Sequence, residues 1–212
     1  MRKIFGHRGL PHIYEENTFK SLNKAQEICD FVEADVRITK DEELVLYHDA
    51  EIQTQKIEEL SLSEINELID IEISEIHLVS REQIRGDTNF ELKINTKENE
   101  LNKVFLEKMI NLTTPEDVVT SFDWETILNN RKSFKSKYGI LIDKENQLFE
   151  SKAMSNLDEK LMFMVEKEIF YSRNFDLPLE RCVVWTVNDK GEINSLLNMN
   201  VYGVVTDIGD KL

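Results

Sequence analysis

The chain has 212 residues, 41% of them hydrophobic and 32% charged, with a formal net charge of −15 and only 3 Pro and 7 Gly. That length suits one domain with a full core and leaves little room for long disordered linkers. The charge leaves no basic face for nucleic acid or anionic membrane, and no apolar run reaches the ~18 residues that a membrane helix needs.

In chain order, the start MRKIF has no signal-like apolar core and His7 follows at once, so a cytoplasmic location is expected. Eight short β-like runs then succeed one another: residues 3–7, 31–38, 89–94, 117–121, 138–142, 161–165, 182–187 and 202–206. Helix-like stretches separate them. Over 17–29, Phe19, Leu22, Ala25 and Cys29 recur at helical spacing, with Asn17 or Thr18 as the N-cap. Residues 98–110 and 189–199 follow the same pattern. An extra strand, 44–48, lies close behind the second across the turn-like TKDEE. Residues 50–87 hold no clear barrel strand and are taken as an insertion within a single domain spanning 1–212. Cys29 and Cys182 sit in apolar settings and are expected to be buried, reduced thiols. Eight alternating β/α units predict a (β/α)8 TIM barrel with a short insertion after the second strand and its hairpin. An open doubly wound sheet is the alternative, but GHRGLP is no glycine-rich phosphate loop.

A barrel of this kind carries its site at the C-terminal ends of the strands. Here the first strand ends on His7 and Arg8, and the second carries Glu33 and Asp35, with Arg37 beyond them. The hairpin strand brings His48 and Asp49, the third Glu91 and Lys93, and the seventh Trp185. Residues two apart on a strand share a face. Glu33 and Asp35 therefore point together into the barrel, while Val32, Ala34 and Val36 point to the helices. Each residue alone has an ordinary explanation: a solvated strand face, a structural histidine, a plain ion pair, a core tryptophan. None of these explains why charge recurs at the ends of strands one, two and three. Three converging carboxylates need a cation, and hard oxygen donors suit Mg²⁺ or Ca²⁺ better than Zn²⁺.

These patches resemble the glycerophosphodiester phosphodiesterase family. The family's H-R-G stands at His7-Arg8-Gly9, its P-E-N-T at Glu16-Asn17-Thr18 with Glu15 in place of Pro, and its E-x-D at Glu33 and Asp35. H-D stands at His48-Asp49, E-x-K at Glu91 and Lys93, W-T-V-N at Trp185–Asn188 and T-D at Thr206-Asp207. The R-T-T that often follows H-D is missing, and the chain is short for the family, which bears on the substrate and not on the reaction. The resemblance implies a TIM-barrel phosphodiesterase holding one divalent cation, Mg²⁺ or Ca²⁺, on Glu33, Asp35 and Glu91. It implies His7 and His48 as the acid/base pair. Arg8 and Lys93 would hold the phosphate, Glu16 would support the first loop, and Trp185 joins the substrate-binding set.

The expected partner is a small-molecule phosphodiester, split into glycerol phosphate and an alcohol. The nucleophile is water or the neighbouring glycerol hydroxyl, the latter through a cyclic phosphate. The same chemistry on lysophospholipids or on a glycerophosphate polymer is the nearest alternative. A catalytically dead ligand-binding barrel is a different one, although it would be expected to lack a histidine or a metal ligand.

Overall fold

The structure, a computed structural model, describes residues 3–69, 76–94 and 100–212. The eight predicted runs become parallel strands: β1 (Lys3–Gly6), β2 (Phe31–Ile38), β3 (Thr88–Leu92), β4 (Val118–Ser121), β5 (Lys137–Ile142), β6 (Leu161–Glu166), β7 (Cys182–Trp185) and β8 (Gly203–Thr206). Each pairs with the next, and β1 closes the ring by pairing with both β8 and β2. The fold is a (β/α)8 barrel. Several strands stop a residue or two short of their predicted ends, so His7, Arg8 and Lys93 lie just past strand ends, whereas Glu33 and Asp35 lie within β2 and Glu91 within β3.

The strands close in this way because their side chains serve two layers. Phe5, Phe31, Val118, Leu141, Met162, Met164, Val183 and Val205 fill the barrel interior. Their sequence neighbours Val32, Ala34, Val36, Val119, Ile140, Phe163 and Val204 pack outward with the helices. A strand buried on both faces reads as a nearly continuous apolar run, which is why these segments stand out in the sequence. The Phe5 and Phe31 rings stack with centroids 4.6 Å apart, locking β1 to β2.

The helix predicted over 17–29 is Phe19–Gln26, capped by the Thr18 hydroxyl, which accepts from the Ser21 amide. Residues 98 and 99 of the 98–110 prediction lie outside the described residues, and that helix runs Glu100–Leu112. The third is Lys190–Asn198, with Asp189 as its cap. The extra strand is Leu44–Leu46, antiparallel to the end of β2, with His77–Leu78 beside it. Between them come a short hairpin (Glu51–Ile52 with Gln55–Lys56) and the helix Leu62–Leu68, which opens on a Ser61/Glu64 capping box. Val45, Ile52, Ile57, Leu60, Ile65 and Ile76 give this segment a small apolar cluster of its own. Residues 70–75 of the predicted insertion lie outside the described residues. Both cysteines are buried and unpaired, as expected. No helix among the described residues is long and apolar enough to cross a membrane.

Candidate active site

The interior face that carries Phe5 and Phe31 at the bottom of the barrel carries His7, Glu33 and Asp35 at the top, because a strand returns to the same face every second residue. Glu33, Asp35 and Glu91 are all buried, and oxygens of the three lie within 4.8 Å of one another. β2 and β3 run in register with Asp35 opposite Glu91.

Two cations sit on this cluster. The Arg8 Nε lies 3.1 Å from Asp35 Oδ2, an ion pair without hydrogen-bond alignment, and its Nη1 donates to Glu16 Oε1 at 2.8 Å. The Lys93 Nζ lies 3.0 Å from Asp35 Oδ1 and donates to Glu91 Oε1. Asp35 is also clamped by Asn17, whose Nδ2 donates to its carboxylate at 2.8 Å and whose Oδ1 accepts from its amide at 3.0 Å. Burial pushes against ionisation of Asp35, but Lys93, Arg8 and Asn17 outweigh it and hold the carboxyl below its usual range. Glu33 has less help. Its Oε2 accepts from the Arg8 amide at 3.0 Å, and its Oε1 is buried with no hydrogen-bond partner. Burial and the Asp35 charge push its pKa up to about 8. Burial raises Glu91 too, in spite of Lys93.

This is a donor set short of positive charge. Three buried carboxylates, one with an orphaned oxygen, fit an oxygen-preferring divalent cation, whereas a closed zinc site would call for nitrogen or sulfur ligands.

The loop after β1 is bent to bring Arg8 to this place. Arg8 has φ 51° and Gly9 φ 94°. A Cβ on Gly9 would lie 2.3 Å from Ser21 Oγ, so only glycine lets the chain pass the first helix here.

His7 Nδ1 is 2.6 Å from Asp207 Oδ1, and its Nε2 is 3.9 Å from Glu33 Oε2. Burial disfavours the imidazolium, but the Asp207 hydrogen bond and the Glu33 charge outweigh it, so the His7 pKa is raised. Asn188 fixes Asp207 in turn, donating from Nδ2 to Oδ2 at 2.6 Å and accepting from the Asp207 amide at 2.9 Å. His48 follows the hairpin strand, with Nδ1 2.8 Å from Asp49 Oδ1. Arg37, buried at the end of β2, forks onto the His48 carbonyl through Nε at 3.1 Å and through Nη2.

His7, Arg8, Glu16, Glu33, Asp35, Glu91 and Lys93 thus form one contiguous network, and His48 is tied to the strand that carries two of its carboxylates through Arg37. Trp185 is set apart. It packs on the interior cluster of the barrel, and Phe122 meets its ring edge-on at 5.9 Å. Asp207, Asn188 and Asn17 lie in the family-like patches and Arg37 among the strand-end charges, but none of the four carried an expected site role. Asp207 was within reach of the same rule that selected the others, since it lies two residues past the inward-facing Val205.

A closed parallel barrel with an acidic cluster and two histidines at its C-terminal mouth places the protein in the class of TIM-barrel proteins. The glycerophosphoryl diester phosphodiesterase family profile matches residues 7–176. The chain belongs to that family and is a phosphodiesterase. The glycerophosphodiester phosphodiesterase of Thermotoga maritima is similar in structure, with a TM-score of 0.78 and 28% identity, covering 99% of this chain and 96% of that one. A glycerophosphodiester phosphodiesterase from Parabacteroides distasonis shares the fold at 20% identity and a TM-score of 0.72, covering 99% and 94%. So does a phosphodiesterase from Oleispira antarctica in complex with the product sn-glycerol-3-phosphate, at 18% identity and a TM-score of 0.73, covering 100% and 95%. No curated protein sequence matches the chain significantly.

Proposed function

We propose that the chain hydrolyses glycerophosphodiesters to glycerol phosphate and an alcohol. One divalent cation, Mg²⁺ or Ca²⁺, would be held by Glu33, Asp35 and Glu91. The observation that carries this is the convergence of three buried carboxylates, with the His7 imidazole 3.9 Å from one of them.

A phosphodiester resists attack because its oxygens are negative and its leaving group is an alkoxide. When bound, the cation supplies charge neutralisation at the non-bridging oxygens. Arg8 and Lys93 add positive charge from protein groups already aimed at the same place. Glu16 keeps the Arg8 guanidinium from swinging away into solvent. An ionised Asp207 can only accept, so His7 donates from Nδ1 and presents Nε2 to the site. The raised pKa of His7 suits it to give a proton to the departing alkoxide, leaving His48 to take one from the nucleophile. Arg37 positions His48 by its backbone and Asp49 orients the ring. Trp185 bounds the substrate on the far side of the mouth.

The test is a turnover screen of glycerophosphodiesters with different alcohols, run with Mg²⁺, with Ca²⁺ and with EDTA. Release of glycerol phosphate that depends on the ion is the expected result. Ion-independent turnover, or none with any diester, would overturn the proposal.

A further inference from the structure

Asp35 is held unlike the other two carboxylates of the cluster. Glu33 accepts from a backbone N–H, that of Arg8, and Glu91 accepts from the Lys93 ammonium. Asp35 has Arg8 and Lys93 beside it and, in addition, Asn17. Among the described residues Asn17 is the only uncharged side chain that hydrogen-bonds to any of the three carboxylates. Its amide cannot be turned round. The Asn17 Oδ1 accepts from the Asp35 backbone N–H at 3.0 Å, so Nδ2 faces the Asp35 carboxylate, where it donates to Oδ2 at 2.8 Å. The Asn17 backbone is fixed as well. Its N–H donates to the Arg8 carbonyl at 3.1 Å and closes the neck of the loop between the two residues. At φ 56° Asn17 stands in the left-handed region, which asparagine and aspartate tolerate better than most side chains. Aspartate here would set a second carboxylate against Asp35.

Arg8 and Lys93 are poorly suited to hold Asp35 for a divalent ion. Both are cations, so they repel the ion at the carboxylate they share with it, and the proposed reaction calls both to the phosphate. Asn17 adds no charge, and its two bonds fix the Asp35 carboxylate relative to the Asp35 backbone. We propose that Asn17 is a positioning residue of the cation site, holding Asp35 in its ligating orientation and so setting the affinity for the ion. The inference rests on the cation site proposed above. It also accounts for a left-handed asparagine at a buried position, since strained backbone is kept where the site needs it.

The experiment titrates Ca²⁺ and Mg²⁺ into the metal-free full chain by calorimetry, for wild type, Asn17→Gly and Ser21→Ala. Asn17→Gly keeps the positive φ and the backbone bond to Arg8 and removes only the two bonds to Asp35. Ser21→Ala loosens the same loop without touching Asp35, since the Ser21 Oγ accepts from the Leu10 N–H at 2.8 Å and donates to the Arg8 carbonyl at 3.2 Å. Asn17→Gly should weaken ion binding roughly 10- to 100-fold, and Ser21→Ala should stay within about twofold of wild type. Turnover of the fastest diester from the screen above should then fall in Asn17→Gly at low ion and recover most of the wild-type kcat at saturating ion. An unchanged Kd in Asn17→Gly, or an equal loss in Ser21→Ala, overturns the role of Asn17. If Asn17→Gly does not fold, Asn17→Ala takes its place, with the same expected loss of affinity and the same overturning result. Failure of the underlying reading looks different. A wild type that binds neither ion removes the cation site and this role with it, whereas tight ion binding without turnover of any diester removes the reaction and leaves the role of Asn17 to be decided by the Kd values.

Discussion

The bottom and the top of the barrel interior are built on the same face of the same strands, and they obey opposite rules. At the bottom Phe5 and Phe31 stack among Met162, Met164, Val183 and Val205. One pleat higher stand His7 and Glu33. Each apolar side chain below contributes roughly 1.5–3 kcal/mol through burial. Each carboxylate above costs free energy to bury, and the cost is only partly offset by Arg8, Lys93 and Asn17. The fold is therefore stabilised by the lower layer and strained by the upper one. Substitutions in the two layers should separate stability from activity.

The largest effect is expected at the carboxylates. Exhaustive chelation should abolish turnover, and Mg²⁺ or Ca²⁺ should restore it. Because the cluster is short of positive charge, saturating ion should also raise the melting temperature by mass action on the folded state. An unchanged melting temperature would count against an ion held there. Asp35→Asn should lose activity while the barrel stays folded. Next come the histidines. His7→Ala and His48→Ala should each lower kcat by ~10²–10⁴, the range of a positioned proton-transfer group. If both act in one displacement, the double variant falls well short of the product of the two losses. A p-nitrophenyl leaving group needs little protonation, so it should rescue the His7 variant more than the His48 variant. Equal rescue would break the assignment of separate roles.

The lower layer should answer in the other currency. Phe31→Ala removes the ring stacked on Phe5 in a fully packed interior. It should cost about 3–5 kcal/mol in urea unfolding, with kcat of the folded fraction little changed. A large loss of kcat at full stability would mean that the two layers are not separable.

This division explains what was legible in the sequence. The strands stood out because both of their faces are buried, giving apolar runs too regular for loops. Glu33, Asp35, Glu91 and Lys93 stood out because charge on an inward position breaks those runs. The partners of these residues did not show, because hydrogen-bond pairing has no local period. Asp207 and His7 are 200 residues apart and meet only because β8 closes on β1. Asn17 and Thr18 both looked like the helix cap, and in the fold Thr18 takes that place while Asn17 clamps Asp35. Arg37 looked like one more charge on β2, and its task is to hold a backbone carbonyl on the neighbouring strand's extension.

The smallest expected effect tests how the upper layer is held, through Asp207→Asn. Asp207 accepts at both oxygens, from His7 and from Asn188. An asparagine has one carbonyl oxygen, so it can satisfy only one of these donors. If its amide nitrogen faces His7, the ring must move its proton from Nδ1 to Nε2, the wrong tautomer for the site. A loss of ~10- to 100-fold in kcat is expected, the range for a partner that orients an active group. Stability should change with a definite pH signature. The folded pKa of His7 is raised from 6.5: burial works against this, and the Asp207 bond and Glu33 prevail. Its contribution is complete below pH 6.5 and is lost as pH rises through the folded value. The folded pKa of Asp207 is lowered from 3.8, with burial opposing and the His7 bond prevailing, so its contribution is present above 3.8 and lost as pH falls through the folded value. Wild type should therefore exceed Asp207→Asn by about 1.5–3 kcal/mol, the worth of a charge-assisted hydrogen bond, in the window between those two unfolded values. The gap should close on the acid side and narrow on the alkaline side. Urea unfolding from acid to mildly alkaline pH, at fixed metal concentration, measures it. A gap that stays constant with pH would mean that the pair does not carry the charges assigned to it.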